Sequence, residues 1–174
     1  MKKWTVLICL LPLLLSGCAA GPPAEKGEPP PEAVPASAEA EPQNFILFGV
    51  PADAEIVLRE TGGRCVYVQE AGDYEIVSDI LPTGDMKEAV RLLTGFGPEQ
   101  LAILETERFG LPEYRFAWAS ASDGGGLLSR ASLIRDGGSC YALVFSVREG
   151  LGTAYDDRAE ALFASFGLCG DEQF

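Results

Sequence analysis

The chain has 174 residues, with 13 Lys plus Arg against 26 Asp plus Glu, five Cys and no His. At about 100–200 residues per domain, that leaves room for one domain with extensions. The lack of His excludes Ser-His and Cys-His catalysis and the histidine zinc ligand. A net charge of -13 opposes nucleic acid, whose phosphates reward Lys and Arg.

Lys2 and Lys3 make a basic start, and an apolar run follows over residues 4–15. At about a dozen residues it is shorter than the ~20 that span a bilayer, so it reads as a signal-peptide core. It ends in Leu15-Ser16-Gly17-Cys18. A Leu, two small residues and a Cys directly after such a core resemble the lipobox of bacterial lipoproteins. Members of that family are cleaved before the Cys, which is diacylated on its sulfur. The resemblance implies that residues 1–17 are removed and that Cys18 carries the lipid. The protein would then sit on the outer face of a bacterial membrane, held in the bilayer through acylated Cys18. The competing reading is an ordinary signal peptide with an incidental Cys.

Residues 18–43 form the lipidated Cys and a tether. From 19 to 43 there are seven Pro, five Glu and no aromatic residue. Nothing there can build a core, and polyproline II character is expected, reaching roughly 75 Å when extended. A proline-rich ligand for a binding groove is the other reading of this composition.

Residues 44–174 make a single globular domain. Strands are expected at 45–50, 55–59, 65–69 and 74–81, separated by Pro51-Ala52-Asp53, Thr61-Gly62-Gly63 and Ala71-Gly72-Asp73. In the last of these Tyr74, Ile76, Ser78 and Ile80 share one face, the alternation of a half-buried sheet. Asp85 with Glu88 makes a capping box for a helix over 86–94, with Met86, Ala89, Val90 and Leu93 on one face and Gly95 as its stop. Strands over 101–107, 113–119, 127–135 and 139–148 follow, with Gly-rich turns at 123–126 and 136–138. A closing helix over 156–166 carries an apolar stripe of Ala159, Leu162, Phe163 and Phe166. The class is α+β: an antiparallel sheet of seven to eight strands, one helix after the fourth strand and a C-terminal helix packed on the sheet.

This order of elements, closing on a strand, a helix and Ala164-Ser165-Phe166, resembles the PsbP/Mog1-like fold. Members of that group serve mostly as accessory or protein-binding modules, so the resemblance implies a non-enzymatic role.

The search for chemistry yields little. Gly124-Gly125-Gly126 lacks the following helix and Lys-Ser/Thr pair of a phosphate loop, so it reads as a hairpin. Glu105 and Glu107 stand on one side of a strand, roughly 7 Å apart, either an acid pair or a solvated face. Asp156 and Asp157 fit a helix N-terminus. No calcium-loop spacing and no Gly-x-Ser-x-Gly elbow occurs, and Lys87, the domain's one Lys, lies on the outer side of a helix. Tyr114, Phe116 and Trp118 either line a pocket or pack in the core. No catalytic residue, cofactor site or metal site follows from the sequence.

Cys65, Cys140 and Cys169 remain for pairing outside the cytoplasm, with three pairings open. A strand of about 26 Å starting near residue 139 is matched by a returning helix and tail of about 22 Å, which brings Cys169 near Cys140. The alternative is three buried thiols. The resulting expectation is a lipid-anchored accessory module for an unidentified protein or envelope partner. A small-ligand or calcium receptor is the alternative, and a carboxylate-only hydrolase the remote one.

Overall fold

The computed structural model describes residues 44–122 and 125–170, without the side chain of Ser122. The lipobox at 15–18, the tether to residue 43 and the Asp123-Gly124 part of the first glycine turn lie outside these residues.

Strands β2 (Ala54–Arg59), β3 (Cys65–Gln69) and β4 (Tyr74–Leu81) form one meander. Strands β5 (Leu104–Arg108), β6 (Leu111–Ser122), β7 (Gly125–Asp136) and β8 (Ser139–Arg148) form a second. Tight turns make each meander antiparallel. The Phe109-Gly110 turn between β5 and β6 has φ of 53° and 81°, the left-handed pair whose twist matches a hairpin. One seam joins the meanders, β4 against β8, giving seven antiparallel strands in the order β2-β3-β4-β8-β7-β6-β5.

Helix α1 (Met86–Thr94) follows β4. The Asp85 carboxylate accepts from the Lys87 amide at 2.9 Å, and Gly95, at φ 76°, closes the helix on the Arg91 carbonyl. Glu88 does not complete the expected box: its carboxylate accepts instead from the Thr83 hydroxyl at 2.7 Å. Ala89 and Val90 are buried with Val66, Val77, Cys140 and Val144 on one face of the sheet.

Helix α2 (Asp156–Ser165) covers the other face. Ala159, Leu162, Phe163 and the following Phe166 meet Tyr74, Ile76, Tyr141, Leu143 and Phe145 there. The sheet is therefore the middle of three layers. Strands β4 and β8 are buried on both faces, not on one as their alternation suggests, because each layer claims every second side chain. A fully buried Leu or Phe in such a layer stabilises by about 1.5–3 kcal/mol.

Beyond α2 the chain forms a strand with no sequence signature, β9 (Gly167–Gly170). It pairs antiparallel with β1 (Asn44–Leu47), from Asn44 opposite Gly170 to Leu47 opposite Gly167, in a separate two-stranded sheet. The Asn44 amide donates to Asp136 at 2.6 Å, tying this small sheet to the end of β7.

Candidate functional site

Three side chains from distant parts of the chain meet beside the first turn of α2. Asp53 sits in the turn that opens β2, Tyr74 begins β4, and Arg158 projects from α2. The Asp53 carboxylate accepts from the Tyr74 hydroxyl at 2.8 Å, from Gln69 at 3.2 Å and from the Arg158 guanidinium. Arg158 also donates to the Tyr74 oxygen at 2.7 Å. Its guanidinium stands over the rings of Tyr74 and Tyr155, at 5.2 and 5.9 Å. The Tyr155 hydroxyl donates in turn to Asp73 at 2.9 Å.

These contacts set the protonation states. Burial, then the Asp53 carboxylate, push the Tyr74 phenol up to about 12. The Tyr74 hydrogen bond holds Asp53 below the ordinary carboxylate value; partial burial opposes that, and Arg158 and Gln69 reinforce it. At neutral pH the group is a neutral phenol, a carboxylate and a guanidinium, each bonded to the others. Such a cluster binds and positions; a phenol this weakly acidic is a poor proton donor or base. Next to it lies an open cleft of about 610 Å³, lined by Gly49, Pro51, Asp157, Arg158, Leu162 and Ser165. The Gly49 amide donates to the Ser165 hydroxyl at 2.9 Å, fixing the loop against α2.

A second centre is built around Glu113, which is only 2 % exposed. One carboxylate oxygen accepts from Ser132 at 2.7 Å and from Arg108 and Arg115 at 3.1 Å; the other accepts from Thr106 at 3.0 Å. Arg108 also donates to the Phe166 carbonyl at 3.0 Å, so the network ties β5, β6 and β7 to the end of α2. Burial pushes the Glu113 carboxyl up, but Ser132, Arg115, Thr106 and Arg108 outweigh it and hold it below its ordinary value. Sequence reading missed this residue: a Glu in an alternating strand looks solvated. The available signal was Thr106, which falls directly opposite Glu113 once the β5–β6 hairpin is drawn.

The residues singled out from the sequence are not brought together. Glu105 and Glu107 are exposed on the edge strand β5. Tyr114 and Phe116 are core, with Trp118 half-buried at 5.7 Å from the Phe116 ring, and Phe116 also borders a small cleft between α2 and strands β6 and β7. Asp156 pairs with Arg130, Asp157 borders the large cleft, and Lys87 is exposed. Gly125 stands opposite Ser122 and Gly126 opposite Ala121, as the two arms of a hairpin do.

Cys140 and Cys169 are both buried, and the pairing expected from chain lengths rests on reach alone. Helix α2 does return over β8, but it covers the face of Tyr141, Leu143 and Phe145. Cys140 alternates with these and points into the α1 layer, where burial pushes its thiol up to about 11. Among the described residues, no group of three Cys, Asp or Glu side chains could hold a metal ion.

No family model matches the chain, and no curated protein matches it. Among solved structures it is similar to a Bacteroides thetaiotaomicron protein, with TM-score 0.52 and 11 % identity over 76 % of this chain; it spans only 50 % of that protein's length. It is similar to cyanobacterial PsbP from Synechocystis, with TM-score 0.53 and 13 % identity, covering 73 % of this chain and 92 % of that one. LpqN of Mycobacterium tuberculosis, involved in cell envelope biogenesis, aligns with TM-score 0.46 and 15 % identity, over 72 % of this chain and 83 % of that one. The likeness to cyanobacterial PsbP supports a PsbP-like fold.

Proposed function

We propose that the protein is a lipid-anchored, extracytoplasmic binding module without catalytic activity, held off a bacterial membrane by its tether. The observation that carries this is the order of parts: a basic start, an apolar core, Leu15-Ser16-Gly17-Cys18, a Pro-rich stretch and then the α+β domain. The domain's chemistry supports the non-enzymatic half of the reading. In its two arginine–carboxylate centres each carboxylate is held by arginine and by neutral donors, and the Tyr74 phenol is pushed up to about 12. No helix among the described residues is long and apolar enough to cross a membrane. The attachment in this reading is acylated Cys18.

Labelling cells with an alkyne-bearing fatty acid tests the anchor. The full chain takes up label and partitions with membranes, whereas Cys18→Ser takes up none and is recovered in the soluble fraction. Label on Cys18→Ser, or an unlabelled parent chain, would remove the lipoprotein reading. A small-ligand receptor is the second reading, and the clefts flanking α2 favour it.

A further inference from the structure

Between α2 and strands β6 and β7 lies a separate cleft of about 250 Å³, bordered by Arg115, Ala117, Arg130, Glu160 and Phe163. Register places its two arginines. Arg115 stands opposite Ser132 and Ala117 opposite Arg130, so the arginines are diagonal neighbours, with backbones about 7–8 Å apart. Both remain accessible, with side chains 40 % and 32 % exposed.

Neither arginine is fully used. Arg115 gives its Nε proton to Glu113 at 3.1 Å, and its two terminal nitrogens make no hydrogen bond among the described residues. Arg130 gives one terminal nitrogen to Asp156. Charge is distributed unevenly around the space. Glu113 sets one negative charge against both Arg108 and Arg115, which leaves that triad with one positive charge in excess. Arg130 and Asp156 balance. Glu160, exposed on the opposite wall, forms no ion pair among the described residues and supplies one negative charge. The cleft therefore has no net charge but two poles, with the apolar Ala117 and Phe163 among its borders.

Pockets for drug-sized ligands measure about 300–1,000 Å³, so a cleft of about 250 Å³ suits something smaller. A plain anion would leave Glu160 facing it, and a plain cation would face the arginines. A molecule carrying both charges satisfies both poles. We propose that this cleft binds a small zwitterion, an α-amino acid. Its carboxylate lies on the terminal nitrogens of Arg115 with Arg130 flanking, its ammonium toward Glu160, and its side chain against Phe163 and Ala117. Two parallel N–H bonds from one guanidinium are the geometry that recognises a carboxylate. The proposal goes beyond the module's anchoring and stands or falls without it, since every residue it uses lies in the described domain.

The test is calorimetry and thermal melting of the full chain with each of the twenty standard L-amino acids, and with the N-acetyl and methyl-ester forms of any that bind. At least one amino acid is expected to bind saturably and to raise the melting temperature with concentration. Blocking either charge of the ligand weakens binding about tenfold or more, as does Glu160→Gln, a change at an exposed side chain that leaves the fold intact. Arg115→Gln also weakens it, and its unliganded melting curve separates lost binding from the disturbed Glu113 network. The proposal is overturned if no amino acid binds, or if the N-acetyl form binds as well as the parent and Glu160→Gln changes nothing.

Discussion

The Glu113 and Asp53 centres use the same chemistry at two depths. Each is a carboxylate met by arginine and by neutral hydroxyl or amide donors, and each holds its pKa below the ordinary value. Glu113 lies under α2 with its side chain 3 % exposed; Asp53 lies at the rim with 38 %. The difference separates two tasks. A buried charge is tolerated only when every partner is in place, so Glu113 acts as a locking point for three strands and a helix end. A rim charge keeps water as a substitute partner, so the Asp53 cluster is free to face a cleft and contribute little to stability.

Removing each centre should break this comparison in order of size. Glu113→Ala leaves Arg108, itself only 13 % exposed, without its counter-charge, and is expected to cost about 3–5 kcal/mol in denaturant melts. A loss below about 1 kcal/mol would mean water replaces the carboxylate and the centre is not locked. Next comes acid. Both folded carboxyls are lowered, so the folded state binds fewer protons than the unfolded one. The stability they supply is full above the unfolded carboxyl value and is lost as pH falls through the lowered folded value. Glu113→Gln should flatten the acid limb of the stability curve more than Asp53→Asn does; an equal effect would erase the distinction between depths.

A smaller effect is expected at Tyr74. Its folded pKa is raised from 10.0 to about 12, so its contribution is full below pH 10 and is lost as pH rises toward 12. Tyr74→Phe should cost about 1 kcal/mol at neutral pH and remove that alkaline loss, which tyrosinate absorbance alongside melting would register. The smallest change belongs to Glu105→Gln with Glu107→Gln, within about 0.5 kcal/mol, since both side chains face solvent on β5. A larger shift there would show that the edge strand carries a charge interaction beyond its own solvation.

The strands and α1 were legible because local chemistry specifies them. Asp-Gly and Gly-Gly turns mark the hairpins, and Asp85 and Gly95 mark the ends of α1. Strand β9 was not legible: Gly-Leu-Cys-Gly has no alternation, and only the proximity of β1 makes it a strand. The cysteine expectation shows a finer limit. Lengths along the chain returned α2 over β8 but said nothing of sidedness, and it is Tyr141 rather than Cys140 that faces α2. The Asp53 and Glu113 centres escaped for a related reason. Their partners come from separate elements, and no short motif connects Asp53 to Arg158.

The single seam between β4 and β8 bears on how the chain reaches this structure. Each meander is made of hairpins whose strands are neighbours in sequence, so each can form by local search. The seam pairs Ile76 with Phe145 and Leu81 with Cys140, across all of α1 and β5 to β7. Loop closure over that span must precede its reward, which makes seam docking the slow step of folding. Both layers of core also converge on these two strands, so neither meander can bury its apolar faces until the other arrives. Assembly of two unfinished halves, rather than growth from one nucleus, is the course this topology imposes.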